Sequence, residues 1–344
     1  MEDDGEGGWV KIVARIAILL LLVGVGTAAL VGGFHWAVNS AAGPLTAERT
    51  VVIPKGSTLP EIAAQLAEAG VVVHPLLLRA AAQVYDPEQP LRSGEYAFAT
   101  GSTVAQVLEL LRSGRTVVRK LTIPEGLTTL QVLQRVRNAE GLDGEIAVTP
   151  AEGSLLPATY PYSYGDSRAA MIETMSRTMR QTINKLWANR APNLPLNTPE
   201  EAVTLASIVE KETGVAAERA RIAGVFINRL RLGMRLQSDP TVIYAVANGT
   251  GPLGRPLTLA DLRTENPYNT YRNAGLPPGP IANPGRAALL AVLQPAATDE
   301  LFFVADGSGG HVFARTYDEH KVNVSRWRAL QADDGTASEG EGGN

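Results

Sequence analysis

The longest apolar stretch of the sequence lies near its N-terminus. From Ile16 to Ala47 the chain contains no Asp, Glu, Lys or Arg, and residues 16–33 are almost wholly apolar. A helix that spans a bilayer core needs about 20 predominantly apolar residues. We therefore predict a transmembrane helix at residues 16–37.

The residues that flank this stretch predict its orientation. Lys11 and Arg15 directly precede it, and Trp9 and Trp36 lie where indole rings favour the membrane interface. Because basic flanks stay in the cytoplasm, we expect residues 1–15 there and the chain after about residue 48 outside it. A cleaved signal peptide is the alternative, since small residues at 40–43 suit a peptidase. The apolar run exceeds the ~7–15 residues of a signal-peptide core, which favours a single-pass anchor.

Two later segments share one pattern. Residues 53–58 and 123–128 each contain Ile-Pro, a charged residue, Gly and a closing Thr, followed by an amphipathic helical pattern. This order predicts a strand, a Pro/Gly turn and a Thr-capped helix. Residues 101–103 begin a partial third copy before another helical pattern. Alternating apolar residues predict a strand at 94–98, and we also expect a short strand at 71–73.

These patterns predict an α+β fold with two domains after the transmembrane helix. The strand-helix-helix-strand order of residues 48–117 resembles small LysM-like modules that bind glycan chains; a generic α+β repeat without a ligand is the open alternative. A larger α+β catalytic domain is expected at residues 118–330. Residues 331–344 are rich in Gly and acidic residues, and we predict a disordered tail.

Composition and charge exclude several classes of protein and site. The net charge is −4 without a long basic run, which argues against nucleic acid as a partner. The chain has no cysteine, so disulfides, thiolate nucleophiles and Cys-ligated zinc are excluded. Its histidines follow no zinc-binding spacing, and neither a Gly-x-Ser-x-Gly elbow nor a phosphate-binding Gly loop occurs. We predict no metal and no cofactor.

One helix carries the candidate acid/base chemistry. Its predicted start is Pro199, with Thr198 as the N-cap. At about 100° per residue, Glu212 falls on the same apolar stripe as Ile208, whereas Glu210 points to the solvated side. A carboxylate on an apolar face loses hydration, which raises its pKa and favours the protonated form that a general acid needs.

The same helix leaves two alternatives to a catalytic Glu212. Glu212 could form a structural salt bridge with Arg219, Arg229 or Arg235. Glu210 is the second candidate for the acid.

Six strings of the sequence together resemble the MltG/YceG-like endolytic murein transglycosylases, and the resemblance extends over about residues 50–330. They are LASIVEKET (205–213), VFINRL (225–230), GMRLQSDPTVIY (233–244), NTY (269–271), GLPPGPI (275–281) and FVADG (303–307). The family implies a catalytic glutamate on this helix, and the match assigns it to Glu212. It also implies an endolytic cut between N-acetylmuramic acid (MurNAc) and N-acetylglucosamine (GlcNAc) in nascent peptidoglycan, which leaves 1,6-anhydroMurNAc ends and terminates glycan elongation beside the synthases.

A turn after this helix carries candidate substrate-binding residues. Gln237 and Ser238 supply an amide and a hydroxyl suited to sugar hydroxyls, before a helix predicted to begin at Pro240. For Asp239, an N-cap role is favoured over direct catalysis.

A second candidate binding segment contains Asn269, Thr270 and Tyr271. It lies between Pro267 and the Pro/Gly-rich residues 275–281, so a rigid cleft wall with an aromatic platform for sugar rings is expected. Whether these residues contact substrate or only shape the loop stays open. The family-like loop at residues 152–160 has Ala158 where the family often has Asp, which weakens a catalytic role there.

The sequence thus predicts an enzyme of the bacterial cytoplasmic membrane whose catalytic domain faces the periplasm and acts on glycan strands. Only one acid is placed, which suffices for an intramolecular transglycosylase route, whereas hydrolysis generally recruits a second carboxylate. Two alternatives remain: a muramidase that hydrolyses the same bond, and a membrane-tethered scaffold that binds peptidoglycan without cutting it.

Overall fold

The structure is a computed structural model that describes residues 6–340 of the chain, and it has a mixed α+β fold with three two-stranded sheets in these residues. The elements are α1 (Glu6–Asn39), β1 (Arg49–Ile53), α2 (Leu59–Glu68), α3 (Pro75–Val84), β2 (Gly94–Phe98), α4 (Val104–Ser113), β3 (Val118–Thr122), α5 (Thr129–Arg137), β4 (Thr159–Ser163), α6 (Arg168–Ala188), α7 (Pro199–Glu212), α8 (Arg219–Arg231), α9 (Asp239–Ala247), α10 (Leu259–Arg263), α11 (Arg286–Leu293), β5 (Phe302–Ala305), β6 (His311–Ala314) and α12 (Tyr317–Gly340).

Helix α1 contains a segment, Trp9–Asn39, that is long and apolar enough to cross a membrane. Its leucines are exposed; Leu20 and Leu21, for example, each have 66% of their surface accessible. A signal sequence near an N-terminus has the same length and apolarity, so these two properties do not separate anchor from signal. Residues 1–5 of the predicted cytoplasmic segment lie outside the described residues.

The chain divides into two compact units. The first contains Met1–Arg119 and Ser163–Gly165, and the second contains Lys120–Tyr162 and Asp166–Asn344. The main division between Arg119 and Lys120 lies close to the domain boundary predicted from the sequence.

The first unit has the predicted strand-helix-helix-strand order. Strand β1 pairs antiparallel with β2, from Arg49 opposite Phe98 to Ile53 opposite Gly94, and helices α2 and α3 lie between them in the chain. The buried core includes Ile53, Leu66 and Tyr96. Glycan binding by this unit, and its likeness to LysM modules, stay predictions.

The strand predicted at residues 71–73 is wrong. Val71 and Val72 are buried in the core, but their backbone N–H groups both donate to the carbonyl oxygen of Leu66 at the end of α2. These donors are therefore used in closing the helix and are not free for a strand ladder.

The predicted Thr caps of three helices are present. Thr58, Thr103 and Thr128 precede α2, α4 and α5, and each forms a capping box with an acidic or amide residue three positions later. Each box satisfies backbone N–H groups that have no partner within the first helical turn.

Helix α7 is the centre of the second unit. It packs against α6, α8 and α11, and every residue from Ala202 to Val209 is buried. The predicted helix start is confirmed, since the Thr198 hydroxyl accepts from Glu201 N at 3.2 Å. An amphipathic helix was expected, but α7 is covered by neighbouring elements on all sides over residues 202–209. Its C-terminal end reaches the candidate site.

The C-terminal elements form one wall of the second unit. Strand β5 pairs antiparallel with β6, and α12 packs against both strands. Helix α12 reaches Gly340 and so includes residues 331–340 of the predicted tail, while residues 341–344 lie outside the described residues. The disorder of this tail stays a prediction.

Candidate active site

Glu212 is the last residue of α7. The buried turn that precedes it, Ile208 and Val209, fixes the helix end in the core, and Thr213 then continues in an extended conformation. Glu212 itself is partly buried. The C-terminal end of a helix carries partial negative charge, which disfavours an additional anion at this position.

Ser238 contacts the Glu212 carboxyl group directly. Its hydroxyl donates a short hydrogen bond to Glu212 Oε1. Ser238 is only 2% exposed, and its backbone N–H donates to Thr270 Oγ1 at 3.0 Å. The Thr241 hydroxyl in turn donates to Ser238 O at 2.6 Å and lies 2.8 Å from Thr270 Oγ1. A buried hydroxyl network therefore fixes the donor that faces the acid.

The surroundings of Glu212 favour its protonated form near neutral pH. Its pKa is raised to about 7, chiefly by burial and in smaller part by the nearby charge of Asp239, while the Ser238 hydrogen bond and the positive charge of Arg229 act in the opposite direction. Because burial is the largest of these effects, Glu212 can hold a proton near pH 7 and release it when the local charge changes.

The predicted structural salt bridge of Glu212 is absent from the described part of the chain. The buried Arg229 guanidinium donates to the carbonyl oxygens of Leu301 at 2.6 Å and Leu236 at 2.7 Å. Arg219 instead lies 3.7 Å from Glu210. Arg229 therefore acts on Glu212 by its field and not by an ion pair.

Glu210 does not lie on a solvated side, and that expectation is wrong. Its side chain is 6% exposed, its carboxylate accepts from Gly285 N at 2.9 Å, and Arg219 is its cationic neighbour. Burial raises the pKa of Glu210. These contacts connect α7 to the start of α11, so Glu210 has a structural role.

Asp239 and Tyr271 form a second polar pair beside Glu212. The Tyr271 hydroxyl donates to Asp239 Oδ1 at 2.6 Å. Asp239 is the first residue of α9, one position before the predicted start, and Ser238 occupies the N-cap position. The predicted N-cap role of Asp239 is therefore wrong, because its carboxylate faces Tyr271. Burial raises the pKa of Tyr271 above its ordinary value, so the phenol remains a hydrogen-bond donor.

A cavity of about 490 Å³ lies in front of Glu212. This volume is within the range of roughly 300–1,000 Å³ typical of ligand pockets. One wall contains Glu212, Arg229, Leu236, Gln237, Asp239 and Tyr271, and the other contains Phe302, Phe303, Val304, Ala305, His311, Tyr317, His320, Val324 and Trp327. Aromatic faces beside polar groups suit a sugar ring, which has apolar faces and hydroxyl edges.

Three of the predicted substrate-binding residues are at or beside this cavity. Gln237 is exposed, lines the cavity and has a left-handed backbone with φ 52°. Tyr271 also lines the cavity, whereas Ser238 lies behind it and contacts Glu212. The structure thus brings these residues together with Glu212.

Asn269 and Thr270 are fully buried and do not reach the cavity. The Asn269 side-chain amide donates to the carbonyl oxygens of Leu262 at 3.0 Å and Thr264 at 2.8 Å, and its oxygen accepts from Tyr271 N at 3.0 Å. Thr270 completes the hydroxyl network at Ser238. In this arrangement both residues hold the loop in place, and their predicted contact with substrate has no exposed atoms to support it.

The cavity residues contributed by β5, β6 and α12, here called the aromatic wall, were not predicted from the sequence as part of the site. Tyr317, His320, Val324 and Trp327 follow one another at spacings of three, four and three residues, so they occupy one face of α12. This periodicity was a usable signal. It was missed because the family-like string at residues 303–307 ends before α12.

Among the described residues, no group of three or more His, Asp or Glu side chains is arranged to hold a metal ion. His311 instead pairs with Glu218 at 2.8 Å.

Comparison with known proteins places the chain in a family. The YceG-like family matches residues 51–326, a range that includes Glu212 and the whole cavity lining except Trp327. The chain belongs to the YceG-like family. Proteins named endolytic murein transglycosylase are similar to it: one from Streptococcus pneumoniae is 32% identical over 325 residues, covering 80% of this chain and 58% of that protein. One from Bacillus subtilis is 31% identical over 301 residues, covering 78% and 81%.

A solved structure of the YceG-like family is also similar. The crystal structure of a YceG-like protein from Listeria monocytogenes matches with a TM-score of 0.51 and 31% identity, covering 80% of this chain and 98% of that one. The present chain spans about three fifths of the length of the pneumococcal relatives. Its activity, substrate and partners are therefore proposals.

Proposed function

We propose that this protein is a lytic transglycosylase that cleaves the MurNAc–GlcNAc bond of peptidoglycan strands, with Glu212 as its acid/base. The observation that carries the proposal is a carboxyl group with a pKa of about 7 on the wall of a sugar-sized, partly aromatic cavity. The names of the relatives from Streptococcus pneumoniae and Bacillus subtilis support the same reaction class.

The proposed reaction uses one carboxyl group twice. Protonated Glu212 donates its proton to the glycosidic oxygen as the bond from the MurNAc anomeric carbon to that oxygen breaks, and the GlcNAc side leaves as an alcohol. The resulting carboxylate then takes the proton of the MurNAc C6 hydroxyl while O6 attacks the anomeric carbon. The product is a 1,6-anhydroMurNAc end, and Glu212 is protonated again without the use of water.

The neighbouring groups support both states of this acid. Ser238 and the field of Arg229 stabilise the carboxylate that forms midway, while burial favours the protonated form before and after. Gln237 and Tyr271 are proposed to bind sugar hydroxyls. Asn269 and Thr270 are proposed to position Tyr271 and Ser238 through their buried hydrogen bonds.

The decisive experiment is mass spectrometry of the products when the full chain in detergent digests purified glycan strands. Glu212→Gln removes the titrating proton at nearly constant shape and is expected to abolish cleavage. Glu200→Gln is the matched control, because Glu200 is an exposed residue in the first turn of the same helix. Equal cleavage by the Glu212 variant would refute the assignment.

A muramidase is the second candidate, because Asp239 supplies a second carboxylate on the same cavity wall. Hydrolysis would use it to activate water, as inverting glycosidases do. Reducing MurNAc ends among the products would favour this reaction, and anhydroMurNAc ends would favour the transglycosylase.

The setting of this activity is part of the proposal. Helix α1 would anchor the protein once in the bacterial cytoplasmic membrane with the chain after about residue 48 on the periplasmic side, in keeping with Lys11 and Arg15 before the apolar stretch. The first unit would bind glycan as LysM-like modules do, and cuts in nascent strands would end their elongation near the synthases. A non-catalytic scaffold would instead keep its cellular role in a Glu212→Gln strain.

A further inference from the structure

A second cavity is lined by chain neighbours of the residues beside the acid. It has a volume of about 390 Å³ and is lined in part by Lys211 and Pro240. Their chain neighbours Glu212 and Asp239 line the first cavity. The end of α7 and the start of α9 therefore contribute to two cavities, each within the range of roughly 300–1,000 Å³ found for ligand pockets.

The second cavity has a preformed wall. The segment 251–255 lies against Gln131, and a Cβ atom at Gly251 would be 2.7 Å from Gln131 Nε2. Gly251 also has φ +131°, a conformation that L side chains rarely adopt. The opposite side includes Tyr244, whose ring packs on Tyr268 with centroids 4.9 Å apart.

Lys211 is the cation in this cavity that is available to a ligand. Its ammonium group donates to Gly126 O at 3.4 Å, and no carboxylate of the described residues forms an ion pair with it. Arg255 also lines the cavity, but Asp261 holds it through two hydrogen bonds of 2.6 and 3.0 Å.

The one carboxylate on the wall, Glu125, lies against the backbone of another loop. A Cβ atom built on Gly285 would be 1.7 Å from Glu125 Oε1, so this carboxylate occupies the space beside Gly285. The lysine ammonium has no ion-pair partner among the described residues and favours an anionic group, with Glu125 as the negative charge elsewhere in the same lining.

We propose that this cavity binds the part of the glycan strand beyond the scissile bond, and that Lys211 binds a carboxylate carried by a muramoyl residue. The proposal rests on the proposed function, since cutting within a strand needs sugar bound on both sides of the acid. The carboxylate has two possible sources with the same chemistry: the lactyl group of a MurNAc without a stem, or the peptide stem, whose attachment turns the lactyl carboxyl into an amide.

The test measures binding to the full chain in detergent, in a Glu212→Gln background that prevents turnover. Three probes of equal length separate the sources: glycan strands with peptide stems, strands freed of stems by an amidase, and chitin oligomers that lack the lactyl group. Lys211→Gln is expected to weaken binding of an acid-bearing probe roughly tenfold. Binding of chitin oligomers is expected to stay unchanged.

Two further variants separate charge from structure. Lys211→Arg keeps the cation and is expected to retain binding, which excludes a mere loss of the Gly126 contact. Lys185→Gln removes an exposed lysine of α6 that lines neither cavity and is expected to have no effect.

Each outcome decides one point. A loss on stem-free strands assigns the lactyl carboxylate, whereas a loss on stem-bearing strands alone assigns the peptide. Unchanged binding of all probes to Lys211→Gln overturns the inference. If the chain with Glu212 intact fails to cleave any strand but its binding still depends on Lys211, the proposed function fails and the binding site stands.

Discussion

At the scale of single residues, the site depends on the carboxyl group of Glu212, whose ionisation burial shifts to higher pH. The pKa of Glu212 is raised from 4.5 to about 7, chiefly by burial. Between these values an unfolded chain has lost the proton that the folded chain still holds. The free energy of unfolding therefore falls as the pH rises through this window.

This linkage predicts that removing the catalytic acid stabilises the protein at alkaline pH. We expect Glu212→Gln to raise the free energy of unfolding at pH 8 by up to about 3 kcal/mol, and to change it little at pH 4. Denaturant unfolding at both pH values, followed by Trp fluorescence, measures the difference. The exposed Glu200→Gln variant is the control, and a shift of equal size at both pH values would contradict the linkage.

The two polar neighbours of Glu212 should move its pKa in opposite directions. Ser238→Ala removes a hydrogen bond that stabilises the carboxylate, so the alkaline limb of the pH–rate profile should move to higher pH. Asp239→Asn removes a nearby negative charge, so the same limb should move to lower pH. Shifts of the same sign in both variants would show that the limb reports another group.

At the scale of elements, the aromatic wall depends on the register of α12. Trp327 and His320 face the cavity, while Val322 on the same helix is 51% exposed. We expect Trp327→Ala to raise the KM for glycan strands about tenfold with a smaller effect on kcat, because ring stacking binds the sugar without transferring a proton. Val322→Ala is the control for trimming α12 elsewhere, and steady-state kinetics with both variants tests the assignment.

Elements with a strong local signal were the ones that the sequence could predict. Thr103 and Thr128 mark helix starts because a hydroxyl that accepts a backbone N–H acts within one turn, and Thr58 marks another because its own N–H donates to Glu61 three residues later. The start of α7 followed from the same kind of signal, since the Thr198 hydroxyl accepts from Glu201 N.

Local sequence patterns could not predict features that depend on tertiary contacts. Residues 71–73 have a strand-like composition, but their N–H groups close α2 instead. Glu210 has the polarity of a surface residue, yet Gly285, 75 positions later in the chain, covers it. For Asn269 and Thr270 the sequence left open whether they contact substrate or only shape the loop, because a polar loop residue suits either role; their buried hydrogen bonds hold the loop in shape.

At the scale of the whole molecule, the candidate active site and the candidate membrane anchor belong to different units. The second unit contains both cavities and the acid. The first unit contains α1 and the antiparallel pair β1–β2. An enzyme that acts on a polymer outside the cytoplasm gains from attachment, because a tether keeps it near strands as they emerge from the membrane.

The proposed topology can be tested directly because the chain has no cysteine of its own. Ser113→Cys, at the exposed last residue of α4, should react in intact spheroplasts with a maleimide that cannot cross the membrane. Gly8→Cys, before the apolar segment, should react only after detergent is added, because the basic flank keeps it in the cytoplasm. Labelling of Gly8→Cys but not of Ser113→Cys without detergent would reverse this assignment. Release of a shortened chain into the soluble fraction would show instead that α1 is a cleaved signal, since an anchored chain sediments with the membrane.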